Sequence, residues 1–203
     1  MQTALYVLHL VAWAVATLAV AGALLFVLRV IVAWVSKNPF GWLAYNLRRV
    51  TEPVVMPLRQ PFSGYYMRFD MLPLVAGAMV LFTGLFIADT LWRIETILGN
   101  VYIVGTYYRF TLGYLLSRLV LFAGLGYEVA IFARVVLPWF GVGYGSPLLR
   151  FLFRITEPLL RPIRRLLSRI LSVSIFDFTP IIALFLVRVA TGILADIVSR
   201  LIP

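Results

Sequence analysis

Four long apolar runs, at about Leu5–Val35, Pro73–Trp92, Tyr108–Trp139 and Thr179–Ile202, constrain this chain more than any other feature. Each reaches the roughly 20 residues a helix needs to cross about 30 Å of hydrocarbon. Lipid offers backbone N–H and C=O groups no partner, and none of the runs alternates as a barrel strand does, so the spanning form is helical. The first and third runs exceed the minimum and imply tilt or protrusion. Hydrophobic residues make up 63% of the chain and charged ones 13%, whereas a soluble domain is about half apolar and a quarter charged. The fold class that follows is an all-α membrane protein with four transmembrane helices.

The net charge of +10 is unevenly distributed. Lys37, Arg48, Arg49, Arg59 and Arg68 lie between the first two runs, and Arg150, Arg154, Arg161, Arg164, Arg165 and Arg169 between the last two. Only Arg93, Arg109 and Arg200 fall on the opposite side. Cationic connections stay cytoplasmic, so both long loops are expected inside a bacterial inner or photosynthetic membrane, with both termini outside. Basic residues at that position answer to anionic lipid rather than nucleic acid. The first five residues carry no positive charge and the apolar run continues to Val35, which argues against a cleavable signal segment. There is no cysteine, hence no disulfide, thiolate metal site or cysteine nucleophile.

The chain repeats itself. Arg29-Val-Ile-Val-Ala-Trp34 matches Arg134-Val-Val-Leu-Pro-Trp139, and Arg49-Val-Thr-Glu-Pro53 matches Arg154-Ile-Thr-Glu-Pro158, both at an offset of 105. Pro57 and Arg59 match Pro162 and Arg164; two residues of insertion later, Asp70 and Pro73 match Asp177 and Pro180. Ala88-Asp89 and Arg93 match Ala195-Asp196 and Arg200. Self-similarity at a fixed period signals repeated structural units, here residues 1–98 and 107–203. Each holds two spans, so the two enter the membrane in the same sense, as parallel helix–loop–helix repeats.

Asn38-Pro39-Phe40, Thr51-Glu52-Pro53, Pro57-Leu-Arg59 and Asp70-Met-Leu-Pro73, with Ser146-Pro147, Thr156-Glu157-Pro158, Pro162-Ile-Arg164-Arg165 and Asp177-Phe-Thr-Pro180, resemble the YggT family, also called YlmG-like, with two tandem units. The resemblance covers nearly the whole chain, although Gln60 stands where the first unit lacks a second arginine. It implies association with cytochrome maturation in thylakoid relatives, with division or nucleoid organisation, and with osmotic tolerance.

In the second loop Leu159, Leu160, Ile163, Leu166, Leu167, Ile170 and Leu171 recur at helical spacing, and Arg161, Arg164, Arg165 and Arg169 occupy the other face. An interfacial helix is expected, starting at Thr156 as N-cap with Pro158 in its first turn. Its arginines and Arg59 are candidates for anionic lipid or a protein partner, against the plainer reading of an anchor. Asp70 and Asp177 precede Pro73 and Pro180 and suit helix capping. Glu52 and Glu157 are expected to fold onto loop arginines, and Arg29 and Arg134 to snorkel toward the interface.

Glu128 and Arg188 have no counterpart in the first unit. They lie ~16 Å above Trp139 and ~12 Å above Pro180, at similar depth, and are expected to form an intramembrane ion pair. Gly77, Gly84, Gly124 and Gly126 suit close helix packing. Gly141-Val-Gly-Tyr-Gly145 follows no strand and precedes no Gly-Lys-Ser, so it reads as a flexible exit from the third span rather than a phosphate loop. His9 is the only histidine and is expected to be an interfacial polar residue rather than a haem or pigment ligand.

No catalytic set, metal cluster or cofactor motif emerges. The sequence therefore points to a non-enzymatic membrane protein that assembles, matures or organises a larger complex, or serves as an accessory subunit of one. Anionic lipids and protein partners, or a homo-oligomer, are its expected contacts. The alternative is an oligomeric small-solute or ion transporter.

Overall fold

A computed structural model describes residues 2–35, 41–59, 72–107, 111–170 and 179–202. All regular elements among them are helical. The chain divides into two compact units, Met1–Gly99 and Asn100–Pro203.

The first unit is built from α1 (Gln2–Val35), α2 (Trp42–Arg59) and most of α3 (Leu72–Tyr107). The second contains α4 (Leu112–Val136), a 3-10 turn (Leu137–Phe140), α5 (Pro147–Ile170) and α6 (Thr179–Leu201). Four of the helices, over Gln2–Val35, Leu72–Gly105, Leu112–Phe140 and Thr179–Leu201, are long and apolar enough to cross a membrane. Leu18, Leu24, Leu119 and Phe185 along them are 61–72% exposed. Apolar side chains on that scale suit acyl chains and not water.

The α3 helix is longer than its apolar run suggests: the charged Arg93 and Glu95 end the run, but the helix continues to Tyr107. No proline interrupts residues 94–107, and a charge pattern marks where hydrocarbon ends, not where the i to i−4 ladder ends. The third span does end at a proline. Pro138 has no N–H to give the carbonyl of Arg134, and the helix tightens into the 3-10 turn. Gly141 then adopts φ 80°, and Val142 N–H closes on Leu137 C=O at 3.3 Å. The exit expected to be flexible is thus a hydrogen-bonded turn at its first residues.

A second correction concerns α5. It starts nine residues before Thr156: Ser146 Oγ accepts from Leu149 N–H at 3.2 Å, and Pro147 takes the first helical position. Thr156 is mid-helix. Pro158 and Pro162 lie inside the helix, where the missing donors weaken the ladder without breaking it.

The spans cross closely at small residues. A Cβ on Gly84 would run into Ala19, and one on Gly77 would sit 2.9 Å from Phe26 Cβ. In the second unit a Cβ on Gly124 would lie 2.8 Å from Thr191 Cβ, and one on Gly113 would strike the Ile202 carbonyl. Position 124 is 19 plus the repeat offset, and position 191 is the counterpart of 84. The glycine at this crossing has therefore moved from one helix to the other. Gly126, expected to pack, faces open space, because it sits two residues, more than half a turn, away from Gly124.

Candidate functional site

The polar centre of each unit joins a membrane helix to an amphipathic one. In the first unit α2 buries Ala44, Leu47, Thr51 and Val55, a run of three- and four-residue steps that makes one face. In the second, α5 buries Leu149, Leu152, Thr156 and Leu160. These are the same positions 105 residues on.

Within both faces threonine is the polar exception. Its hydroxyl donates to the carbonyl four residues back, Thr51 to Leu47 at 2.6 Å and Thr156 to Leu152 at 2.7 Å. With its only proton committed, the oxygen offers a lone pair, and a buried guanidinium takes it. Arg29 Nη1 donates to Thr51 Oγ1 at 2.7 Å, and Arg134 Nη1 to Thr156 Oγ1 at the same distance. The neighbouring glutamate supplies the counter-charge. Arg29 Nη2 meets Glu52 Oε2 at 2.8 Å, and Arg134 Nη1 meets Glu157 Oε2 at 3.3 Å. Arg29 and Arg134 are each only 6% exposed.

This overturns the expectation that the two arginines snorkel. A buried, planar fork of donors satisfied by a hydroxyl and a carboxylate is a structural latch. Glu157 also accepts from the loop arginine Arg164 at 3.3 Å, as anticipated, but shares itself with the span arginine. The second latch has two further supports. Arg134 Cζ lies 4.4 Å from the Phe153 ring centre, and Tyr127 O–H donates to Ile155 C=O at 3.0 Å. The missed signal is legible in retrospect: arginine precedes Thr-Glu by 22 residues in both halves.

Pro53 and Pro158 are exposed on the far side of their helices, as are Arg161, Arg164 and Arg165. The backbone sets Arg59 and Arg169 in the last turns of α2 and α5. Asp70 and Asp177 lie outside the described residues.

Arg188 and Glu128 are brought together. Arg188 Nη2 donates to Glu128 Oε2 at 3.2 Å, joining α6 to α4, and Glu128 is fully buried while the arginine side chain is 43% exposed. On α6 Arg200 also pairs with Asp196 one turn back, at 2.9 Å. At the other end of the first unit Trp13 Nε1–H donates to His9 Nε2 at 3.0 Å, so the imidazole proton sits on Nδ1 and faces Glu95 Oε2 at 2.9 Å. Both ring nitrogens are thereby engaged within the first unit. Among the described residues no three His, Asp or Glu side chains gather as a metal site.

Paired amphipathic helices latched to long apolar spans define a polytopic helical membrane protein. Residues 113–198 match the CCB3/YggT family. An uncharacterised protein of Haemophilus influenzae is 26% identical over 189 residues, covering 88% of each chain. Proteins of Escherichia coli K12 and O157:H7, both described as uncharacterised protein YggT, are 25% identical over 180 residues, 87% of this chain and 84% of theirs. Residues 113–198 thus carry the CCB3/YggT match, and the chain is similar to YggT proteins over most of its length. No solved structure matches it.

Proposed function

We propose that the chain is a non-enzymatic assembly or organising factor of a larger membrane complex, and that its two units are copies of one span–platform–span element. The observation that supports this reading is the doubled latch, Arg29–Thr51–Glu52 and Arg134–Thr156–Glu157. Catalysis would need reactive groups converging on an open space. Here the buried polar groups converge on one another and hold two amphipathic helices against their spans. A helix fixed in this way presents a preorganised face, which lowers the ordering cost of binding a partner.

Gentle extraction from the native membrane, followed by mass and co-purifying chains, tests the reading. Stoichiometric partner chains are expected, and T51V/T156V, which removes both latch hydroxyls, should reduce their recovery. Homogeneous homo-oligomers carrying lipid alone would overturn it.

The Glu128–Arg188 pair supports a second reading, an oligomeric transporter with a polar element within the span. Solute or ion flux in liposomes, abolished by E128Q, would establish that alternative; silence of the reconstituted protein would remove it.

A further inference from the structure

The second platform differs from the first in what its outer surface carries. Around the axis of α5 the side chains sort into three faces. Leu149, Leu152, Thr156, Leu160 and Ile163 are buried against the unit. One flank is cationic, with Arg150, Arg154, Arg161 and Arg164 in steps of three, four and seven. The other flank is apolar and exposed: Leu148, Phe151 and Leu166 are 53–61% accessible.

Two faces suffice for a helix on a soluble surface. Three are what a helix needs when it lies in the membrane interface beside a bundle, with protein to one side, acyl chains below and headgroups above. The cationic flank is also concave. Arg150, Phe153, Arg154, Glu157, Arg161 and Arg164 line an open groove of about 860 Å³. Its single carboxylate, Glu157, is already held by Arg134 and Arg164. Among the described residues no carboxylate pairs with Arg150, Arg154 or Arg161.

From this we propose that the α5 groove is an anionic-phospholipid site, with Arg150, Arg154 and Arg161 on the headgroup phosphate and the Leu148–Phe151–Leu166 flank against its acyl chains. The site goes beyond the platform reading and does not depend on it. Guanidinium forks suit phosphate oxygens in geometry and charge. The neighbouring apolar flank selects a lipid over a free anion, because a free phosphate has nothing to place there. The first platform keeps only one of the three headgroup arginines: Arg49 is the counterpart of Arg154, but those of Arg150 and Arg161 are Tyr45 and Met56, exposed and uncharged. One lipid site per chain is the consequence.

The test is native mass spectrometry of the full-length chain, delipidated in detergent and titrated with phosphatidylglycerol, phosphatidylcholine or glycerol phosphate. One phosphatidylglycerol is expected to bind with at least tenfold preference over phosphatidylcholine. Each arginine near an anionic headgroup should contribute about fivefold, so R150Q/R154Q/R161Q should lose affinity by on the order of a hundredfold. R200Q, outside the groove near the end of α6, should bind within about twofold of the unaltered chain. If the triple variant does not fold, R150Q and R161Q carry the test singly, each with the fivefold loss. Equal binding of both lipids, or equal loss in R200Q, would overturn the site. Saturation by glycerol phosphate that displaces phosphatidylglycerol would show a free phosphate ligand instead, and retention of an acidic protein chain at the groove would show a protein one. Either result refutes the lipid assignment while leaving the platform reading to its own experiment.

Discussion

Arg134 shows how a charge is kept inside this protein. Nearly every donor of a buried guanidinium must find an acceptor, and Thr156 serves only because its own proton is committed to Leu152. T156V is isosteric and removes that acceptor. It should cost about 1–2 kcal/mol, seen as a fall of roughly 3–6 °C in thermal unfolding in detergent. T51V should cost a similar amount, and a silent T51V would show that the first latch contributes nothing. R134K keeps the charge but loses the planar fork, so it should destabilise clearly more than R165K on the exposed flank. For the deeper pair, R188L strands the buried carboxylate of Glu128. E128Q/R188L should recover part of the loss, with a coupling energy of about 0.5–3 kcal/mol in a double-mutant cycle. Simple additivity would mean that the two side chains do not communicate.

Among the elements, the decisive contacts are the crossings of paired spans. Ala19 against Gly84 and Gly124 against Thr191 occupy corresponding places in the two units, with the missing Cβ on opposite helices. Close approach is what the crossing requires, and either partner can supply it. G84A should therefore destabilise the first unit by about 1–3 kcal/mol through overpacking, whereas A19G/G84A should regain much of that loss. Failure of the second substitution to rescue the first would refute the account. The amphipathic helices follow a different logic. Their buried faces are set by the bundle, and their length by Ser146–Pro147 at the start of α5 and not by the Thr-Glu-Pro motif.

For the whole molecule, the charge asymmetry predicts an orientation, and it can be measured directly because the chain contains no cysteine. A single introduced thiol is then the only one. G143C, in the exposed turn before α5, should react with an impermeant maleimide only from the cytoplasmic side, and S199C near the end of α6 only from the opposite side. The reverse pattern would invert the assignment, and labelling of both from one side would contradict an odd number of crossings between them.

The amino-acid sequence by itself determined the class of protein. Four apolar runs in a chain of 203 residues leave no soluble fold that could bury them, and the Thr-Glu-Pro and Pro-x-Arg motifs carried the resemblance to the YggT family. Hydropathy has long wavelength and survives without knowledge of contacts. Much of the candidate site was illegible for the opposite reason. Snorkelling and burial are equally available to an arginine one turn inside an interface, and only the positions of Thr51 and Thr156 against α1 and α4 decided for burial. The apolar stripe of α5 likewise reads as one surface in sequence. Tertiary packing divided it, covering Leu160 and Ile163 with protein and leaving Leu166 exposed. A helical period fixes which side chains share a face, but what covers that face is settled by neighbours far away in the chain.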